Sequence, residues 1–255
     1  MKTNYKISII TSTLNCINEL KKTADSISSF KDNDIQWIII DAASKDGTLD
    51  FIKSRSNLIS DWISEPDTGI YNAWNKAIPL IQGNWVMFLG AGDTLSNDWI
   101  DFVKARPPVE DIIYSNILIH DKYKIYTSRP MPWEYIAANL SKNMFLKHPG
   151  LAHNKRLFAN NKFNENYRII SDWVFLVDSN LQSALYLKDM FQANFYTGGI
   201  SSTYSGACLA FKETKEFRKS IGDPMNAREL FNFILYILLM PFRNFANFFH
   251  KKLAE

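Results

Sequence analysis

Cysteine is nearly absent: the 255 residues hold only Cys16 and Cys208. Two isolated thiols build neither a disulfide framework nor a thiolate metal cluster, and they point to a reducing compartment. Glycine and proline are sparse, at 10 and 9 residues, which excludes collagen-like or low-complexity structure. An excess of one charge is missing too. The 29 basic and 26 acidic side chains leave a net +3, so bulk electrostatics do not direct the chain to nucleic acid. The opening Met-Lys-Thr-Asn-Tyr-Lys runs into a strand-like segment without the apolar core of a signal peptide. A cytoplasmic protein is expected.

What is present is a large apolar fraction, 46%, arranged in two different patterns. Tyr5 to Thr13, Gln36 to Asp41, Trp62 to Ser64 and Asn84 to Leu89 read as buried strands. Between them, Cys16 to Phe30, Thr48 to Ser54 and Ile70 to Ile81 read as helices. Continuously apolar strands separated by helices predict a parallel sheet covered on both faces, a doubly wound α/β unit over about the first 105 residues. Beyond Pro107-Pro108 the pattern turns mixed. Asp111 to Ile119 and Lys122 to Thr127 suggest two antiparallel strands, a helix starts near Ser171, and Ala184 to Tyr196 reads as a strand.

Ligands of such sheets bind outside the carboxyl ends of the strands. Three acids fall there: Asp41, Asp67 and Asp93. Any one of them is a natural turn or helix-cap residue, and Asp46 in Ser44-Lys45-Asp46-Gly47-Thr48 is an especially good cap. Three on one rim repel each other, and a cation, a sugar hydroxyl or a base donor would offset that repulsion. Asp172 opens a helix in Ser171-Asp172-Trp173, where the helix dipole favours an acid. His148 and Trp173 each read either as ligand contacts or as core residues.

Four ordered segments carry a resemblance. They are Ile9-Ile10-Thr11-Ser12-Thr13-Leu14-Asn15, Ile40-Asp41-x-x-Ser44-x-Asp46-Gly47-Thr48, Ser64-Glu65-Pro66-Asp67-x-Gly69-Ile70-Tyr71-x-Ala73-x-Asn75-Lys76, and Phe88-Leu89-x-Ala91-Gly92-Asp93. With His148-Pro149-Gly150, Ser171-Asp172-Trp173 and Gly198-Gly199-Ile200-Ser201, they resemble the family 2 glycosyltransferases of GT-A fold over about residues 5 to 203. The likeness is to the bacterial branch that builds O-antigen, capsule or exopolysaccharide repeats.

The resemblance implies an α/β GT-A domain over 1–205, with a Rossmann-like nucleotide-sugar half at 1–105, a mixed acceptor half at 106–205, and a C-terminal helical region at 206–255. Thr11, Ser12 and Thr13 would line the nucleotide pocket. Asp41 would accept from the uracil or ribose, Asp67 would lie beside the base or ribose, and Lys76 near the diphosphate. Ala91, Gly92 and Asp93 would approach the phosphates, Asp93 being the last acid of the family's DxD motif and the ligand of Mn²⁺ or Mg²⁺. His148 would contact acceptor or diphosphate, and Asp172 would be the catalytic base of an inverting transfer. The reaction implied is transfer of one hexosyl or N-acetylhexosaminyl unit from a nucleotide-sugar, expected to be UDP-linked. Its acceptor is expected to be a saccharide on a polyprenyl diphosphate at the inner face of the cytoplasmic membrane, in lipopolysaccharide or other polysaccharide biosynthesis.

This sequence departs from the family pattern in three places. The motif reads Gly90-Ala91-Gly92-Asp93, so the first DxD acid is missing and only Asp93 remains; no histidine lies between His153 and His250; and Asn72 and Trp74 replace a common Asp and Met. A degenerate, non-catalytic nucleotide-binding module is the alternative that the missing acid suggests. Two other enzyme classes fit worse. A haloacid-dehalogenase phosphatase would need an acid at Ser44, and a sugar nucleotidyltransferase usually carries a glycine-rich loop where Thr11 to Asn18 has no glycine. Leu230 to Met240 is intensely apolar but short of the roughly 20 residues of a span and is followed by Pro241. Core covering, an oligomer contact and an interfacial membrane helix through residues 230–252 all remain open for it. Phe242, Phe245, Phe248 and Phe249 beside Arg243, Lys251 and Lys252 suit the last.

Overall fold

Strand β1 (Ile7–Thr13) is the axis of the molecule, flanked on both sides by parallel strands. In this computed structural model, residues 5–30, 32–122 and 124–252 are described, with side chains through residue 239. Helix α1 (Ile17–Ser28) leads to β2 (Ile35–Asp41), α2 (Thr48–Ser54) to β3 (Asp61–Ser64), and α3 (Ile70–Ala77) to β4 (Trp85–Phe88). The chain continues through β5 (Thr94–Leu95), α4 (Asn97–Ala105), β6 (Ile112–His120), β7 (Ile125–Ser128) and α5 (Trp133–Asn139). It ends through β8 (Leu151–Asn154), α6 (Ser171–Asp178), β9 (Ala184–Tyr196), α7 (Tyr204–Ser220) and α8 (Ala227–Lys252).

One mixed sheet runs in the order β3-β2-β1-β4-β8-β6-β9-β5, with β7 paired to β6. Its first four strands are parallel. β8 then pairs antiparallel with both β4 and β6, and β6 runs parallel to β9. The change of pattern past Pro107-Pro108 is this change of strand direction. The short β5 was not singled out from the sequence, because two residues carry too little periodicity to register.

Alternation along the strands sorts side chains to the two faces. Ile10, Ile38, Ile40, Val86 and Phe88 pack under α3, α5, α6 and α7. Ile7, Ile9, Trp37, Ile39 and Met87 pack under α1, α2 and α4. Helix α7 belongs to the first layer, where Phe217 is 3% exposed with its ring edge-on to Trp173 at 5.1 Å.

A clasp joins α7 to α8. The buried Arg218 donates to Glu229 at 2.8 Å and to the Asp223 carbonyl at 2.9 Å, and lies 3.2 Å from the Asp223 carboxylate. Leu230, Phe233 and Ile237 face inward, with Phe233 meeting Phe211 at 4.9 Å. The opposite side of α8 is apolar as well: Phe231, Ile234, Leu235, Tyr236, Leu238 and Leu239 are all exposed. Among the described residues, no helix is long and apolar enough to cross a membrane. The side chains of Phe242, Arg243, Phe245, Phe248, Phe249, Lys251 and Lys252 lie outside those described.

The entry to β4 depends on a missing side chain. At Gly83 a Cβ would stand 2.4 Å from the Ser8 nitrogen and 2.5 Å from the Ile7 carbonyl carbon, both backbone atoms of the central strand. Gly83→Ala is therefore expected to destabilise the fold by about 2–4 kcal/mol, measurable as a lower urea midpoint at unchanged slope.

Candidate active site

Three strands end side by side, and their register puts Thr13, Asp41 and Ser64 in one row at the carboxyl rim. Asp41 is fully buried. Its carboxylate accepts from Thr13 Oγ1 at 3.0 Å, Ser64 Oγ at 2.7 Å, Ser44 Oγ at 2.5 Å and the Ser44 amide at 3.0 Å. Four donors fill the acceptor capacity of one carboxylate. Thr11 is buried under the sheet and accepts from Trp37 Nε1 at 3.1 Å, while Ser12 is half-buried.

The two loops above this row are zipped together. Asn15 takes the Lys45 amide at 2.7 Å and gives its own amide to Ser44 Oγ at 2.8 Å, and Asp46 accepts from Ile17 and caps Thr48. Asn15 and Ala43 hold positive φ, 49° and 56°. For alanine this is strained backbone, of the kind that clusters at ligand-binding loops.

Asp67 lies on the loop after β3, half-buried, and accepts the Gly69 amide at 2.9 Å. Lys76 does not stand free. Its Nζ donates to the Pro66 carbonyl at 2.8 Å and pairs with Glu65 at 2.9 Å, bracing the same loop. Asn72 and Asn75 both donate to Glu165, at 2.9 and 2.8 Å. An aspartate at 72 would face Glu165 as a like charge, so the asparagine suits its partner. Trp74 is core, stacked on His148 with centroids 5.0 Å apart.

After β4 the chain turns through Gly90-Ala91-Gly92 into Asp93. Thr23, buried in α1, organises this turn by accepting the Gly92 amide at 2.9 Å and donating to the Asp93 carbonyl at 2.9 Å. Gly92 holds φ 98°, where a side chain is disfavoured. Asp93 is 4% exposed, and its Oδ1 accepts the Tyr196 amide at 2.9 Å, delivered by the end of β9. Burial pushes its carboxyl up to about 7, against the pull of the Tyr196 and Gly90 backbone.

Among the described residues, no three histidine, cysteine or carboxylate side chains gather to hold a metal ion. A hard divalent cation, however, accepts a single protein carboxylate when phosphates and water complete its shell. Asp93 Oδ2 offers that one ligand on the side of Gly90, where a Cβ would come within 2.8 Å of it. The residues thus fit such an ion only together with a diphosphate.

Asp172 is 21% exposed at the start of α6. Its Oδ1 accepts the Trp173 amide at 2.9 Å and meets the Tyr71 hydroxyl at 3.1 Å. Burial raises its carboxyl to about 6, opposed by those two hydrogen bonds and by the nearby Lys147. His148 Nδ1 is 3.7 Å from Asp172 Oδ2. Burial, with His153 beside it, holds His148 well below the usual histidine range. The ring is therefore neutral and the contact is no ion pair. Trp173 is 2% exposed and donates to the Leu140 carbonyl at 2.6 Å, so it packs the core and is not open to a sugar face.

A cavity of about 150 Å³ opens against Tyr71, lined also by Gly69, Asn72, Glu165, Arg168 and Ile200. A larger one of about 380 Å³, between Ile81, Arg156 and Phe158, shares no residue with these groups. Thr23, Tyr71 and the Tyr196 amide were not singled out from the sequence. Thr23 resembles any helical threonine, Tyr71 was visible only as a motif letter, and a backbone amide has no sequence signal.

The carboxyl of Asp172 is held above the roughly 3.9 of an unfolded aspartate. The folded protein keeps this proton longer, so stability is full below about pH 4 and is lost as pH rises through about 6. Asp172→Asn is therefore expected to match the wild type near pH 4 and exceed it by about 1–3 kcal/mol above pH 7, read from urea unfolding at both pH values.

Residues 8–104 match the model of Glycosyl transferase family 2. A PGL/p-HBAD biosynthesis glycosyltransferase of Mycobacterium bovis is 27% identical over 236 residues, 87% of this chain and 85% of that protein. Among solved structures, S. aureus TarS 1-349 in complex with UDP-GlcNAc superposes with a TM-score of 0.65 at 15% identity, over 93% of this chain and 73% of that one. Its UDP complex is covered over 65% of its length. Mannosyltransferase PcManGT from Pyrobaculum calidifontis, in complex with GDP-Man and Mn²⁺, gives 0.63 at 15% identity, over 93% and 71%. Sequence and fold agree: residues 8–104 are similar to glycosyl transferase family 2, and the chain has the GT-A fold.

Proposed function

We propose that this protein is a metal-dependent inverting glycosyltransferase that moves one sugar from a nucleotide-sugar to a saccharide acceptor. One observation carries the reading. Two carboxyl groups, Asp93 after β4 and Asp172 opening α6, are each lifted by burial into the range where protonation matters, about 7 and about 6. Carboxyl groups raised by burial in this way mark candidate functional sites. The TarS and PcManGT complexes, with UDP-GlcNAc and with GDP-Man and Mn²⁺, support a nucleotide-sugar donor and a divalent ion.

In this reading the nucleotide lies over the row Thr13–Asp41–Ser64, under the zipped loops of Asn15 and Ser44. Asp41 takes a uracil or ribose donor in exchange for one of its serine hydroxyls, and Asp67 lies beside the base. Lys76 acts through the loop it braces. Asp93, with Ala91 and Gly92 beside it, would hold Mn²⁺ or Mg²⁺ together with the diphosphate. The bound ion supplies charge neutralisation of the departing diphosphate. The acceptor enters beside Tyr71 from the cavity that Ile200 closes. Asp172 removes the proton from its hydroxyl as that oxygen bonds the anomeric carbon and the diphosphate leaves from the opposite face. His148 stays neutral behind the base, its Nδ1 3.7 Å from the outer oxygen and beyond hydrogen-bond distance. The groups named for these steps all lie within residues 1–205, the region read as the GT-A domain.

The exposed apolar side of α8 extends the proposal. A helix that is apolar all round is buried or lies in a membrane, and Phe231, Leu235 and Leu238 are exposed among the described residues. An interfacial helix would hold the enzyme at the inner face of a membrane, next to a polyprenyl-diphosphate-linked acceptor of O-antigen, capsule or related polysaccharide synthesis.

Two measurements test this. Calorimetry of UDP, GDP and dTDP, with Mn²⁺ and with EDTA, is expected to show UDP binding that needs the metal and drops at least about tenfold in Asp93→Ala. Nucleotide binding without turnover of any donor would leave a non-catalytic module. In flotation with anionic liposomes, the triple substitution Phe231→Ser, Leu235→Ser, Leu238→Ser is expected to stay behind while the wild type floats. Equal flotation would remove the membrane reading.

A further inference from the structure

The base of the proposed reaction sits on a helix that is held from outside. α6 starts without a side-chain cap, from Ile170, and Asp172 is its second residue. What fixes the segment before it comes from two distant elements. Glu213 of α7, 4% exposed, accepts the amides of Arg168 at 2.8 Å, Ile169 at 3.0 Å and Ile170 at 3.2 Å. From the other side, the Tyr71 hydroxyl of α3 donates to the Ile169 carbonyl at 2.6 Å and touches Asp172 Oδ1 at 3.1 Å.

We propose that Glu213 and Tyr71 are positioning residues, a clamp on residues 168–170 that sets the place and surroundings of Asp172. The inference rests on reading Asp172 as the base. No cation pairs with Glu213 among the described residues; three successive amides neutralise it, the arrangement by which backbone binds an anion. A buried charge of this kind costs desolvation that an apolar side chain would avoid. It does hold three consecutive peptide units in a single orientation, which packing alone specifies less tightly.

The Tyr71 contact has a second use. The one hydroxyl proton is shared between the Ile169 carbonyl at 2.6 Å and Asp172 Oδ1 at 3.1 Å. Its share on Oδ1 favours the ionised carboxylate, the form that takes the acceptor's proton. The acceptor oxygen bonds the anomeric carbon, the carbon–phosphate oxygen bond breaks with its electron pair leaving on the diphosphate, and the acceptor's proton ends on Asp172 within reach of Tyr71. The charged and titratable groups near Asp172 are Tyr71 on α3, Lys147 and His148 on the turn His148–Gly150 and its flank, and Glu213 on α7 behind the peptide segment.

The test is the pH–rate profile of sugar transfer, with kcat and KM, for the wild type, Glu213→Gln, Tyr71→Phe and Asp172→Asn. Glutamine keeps the size of Glu213 but turns an amide group toward the amides it held. Both clamp variants are expected to lose about tenfold to a hundredfold in kcat with nucleotide affinity unchanged. The acid limb should move in opposite directions: down in Glu213→Gln, as water reaches Asp172, and up in Tyr71→Phe, which removes a donor to the carboxylate. A merely structural role would lower the unfolding midpoint and move neither limb. Should Glu213→Gln not fold, Tyr71→Phe reads the clamp alone, and an unchanged kcat and limb there overturn it. Asp172→Asn separates the two claims. If that variant keeps wild-type kcat, the base assignment fails; if it is inactive while both clamp variants behave as wild type, the clamp fails.

Discussion

Everything at the donor end depends on a carboxylate buried where three strands stop together. Asp41 draws Thr13, Ser44 and Ser64 to one point, so the ends of β1, β2 and β3 and the loop beyond β2 form a single rigid rim. A buried charge without four donors would be costly, and with them it fixes register as well as position. The zipped loops above it then hold Asn15 and Ala43 in left-handed backbone. Asp93 repeats the device on the neighbouring strand with fewer donors: the Tyr196 amide reaches its carboxylate while Thr23 holds only its backbone carbonyl, and its carboxyl rises to about 7. The fewer its internal partners, the more a carboxylate gains from an added cation or proton, and this separates a scaffold acid from a functional one.

The acceptor side is built by a different device. There the sheet has changed direction, and its added strands serve as delivery. β9, displaced by a bulge opposite Ser115 and Asn116, brings the Tyr196 amide to Asp93. α6 brings Asp172 to Tyr71 and leaves its carboxyl raised to about 6. Keeping this acid out of water lowers stability at neutral pH, a common exchange of stability for reactivity. The helices after residue 205 are part of the arrangement: Glu213 grips the peptides that carry Asp172, and Arg218 ties α7 to α8.

Much of the parallel half was legible in the sequence, because uninterrupted apolar strands such as Gln36 to Asp41 leave little choice of architecture. Helix α2 and strand β9 have the bounds expected of them, while the helix expected to run to Ile81 closes as a 3-10 turn after Ala77. The acids of the rim could be named from their place after strands. Which of them are satisfied within the protein could not, since that depends on pairs such as Thr13–Asp41 and Tyr196–Asp93, 28 and 103 positions apart. Lys76 shows the same limit: a lysine suited to phosphate is spent on Glu65 and Pro66. Glu213 lies in an ordinary amphipathic helix, and nothing in its neighbours along the chain sets it apart from the exposed Glu216.

The central claim is a one-step displacement with Asp172 as base, and the anomeric configuration of the product tests it most directly. Proton NMR of the first product formed from an α-linked nucleotide-sugar should show a β-linked sugar, with none formed by Asp172→Asn. An α-linked product would contradict the account, because retention needs either a second displacement or same-face attack, and a lone base at Asp172 provides neither.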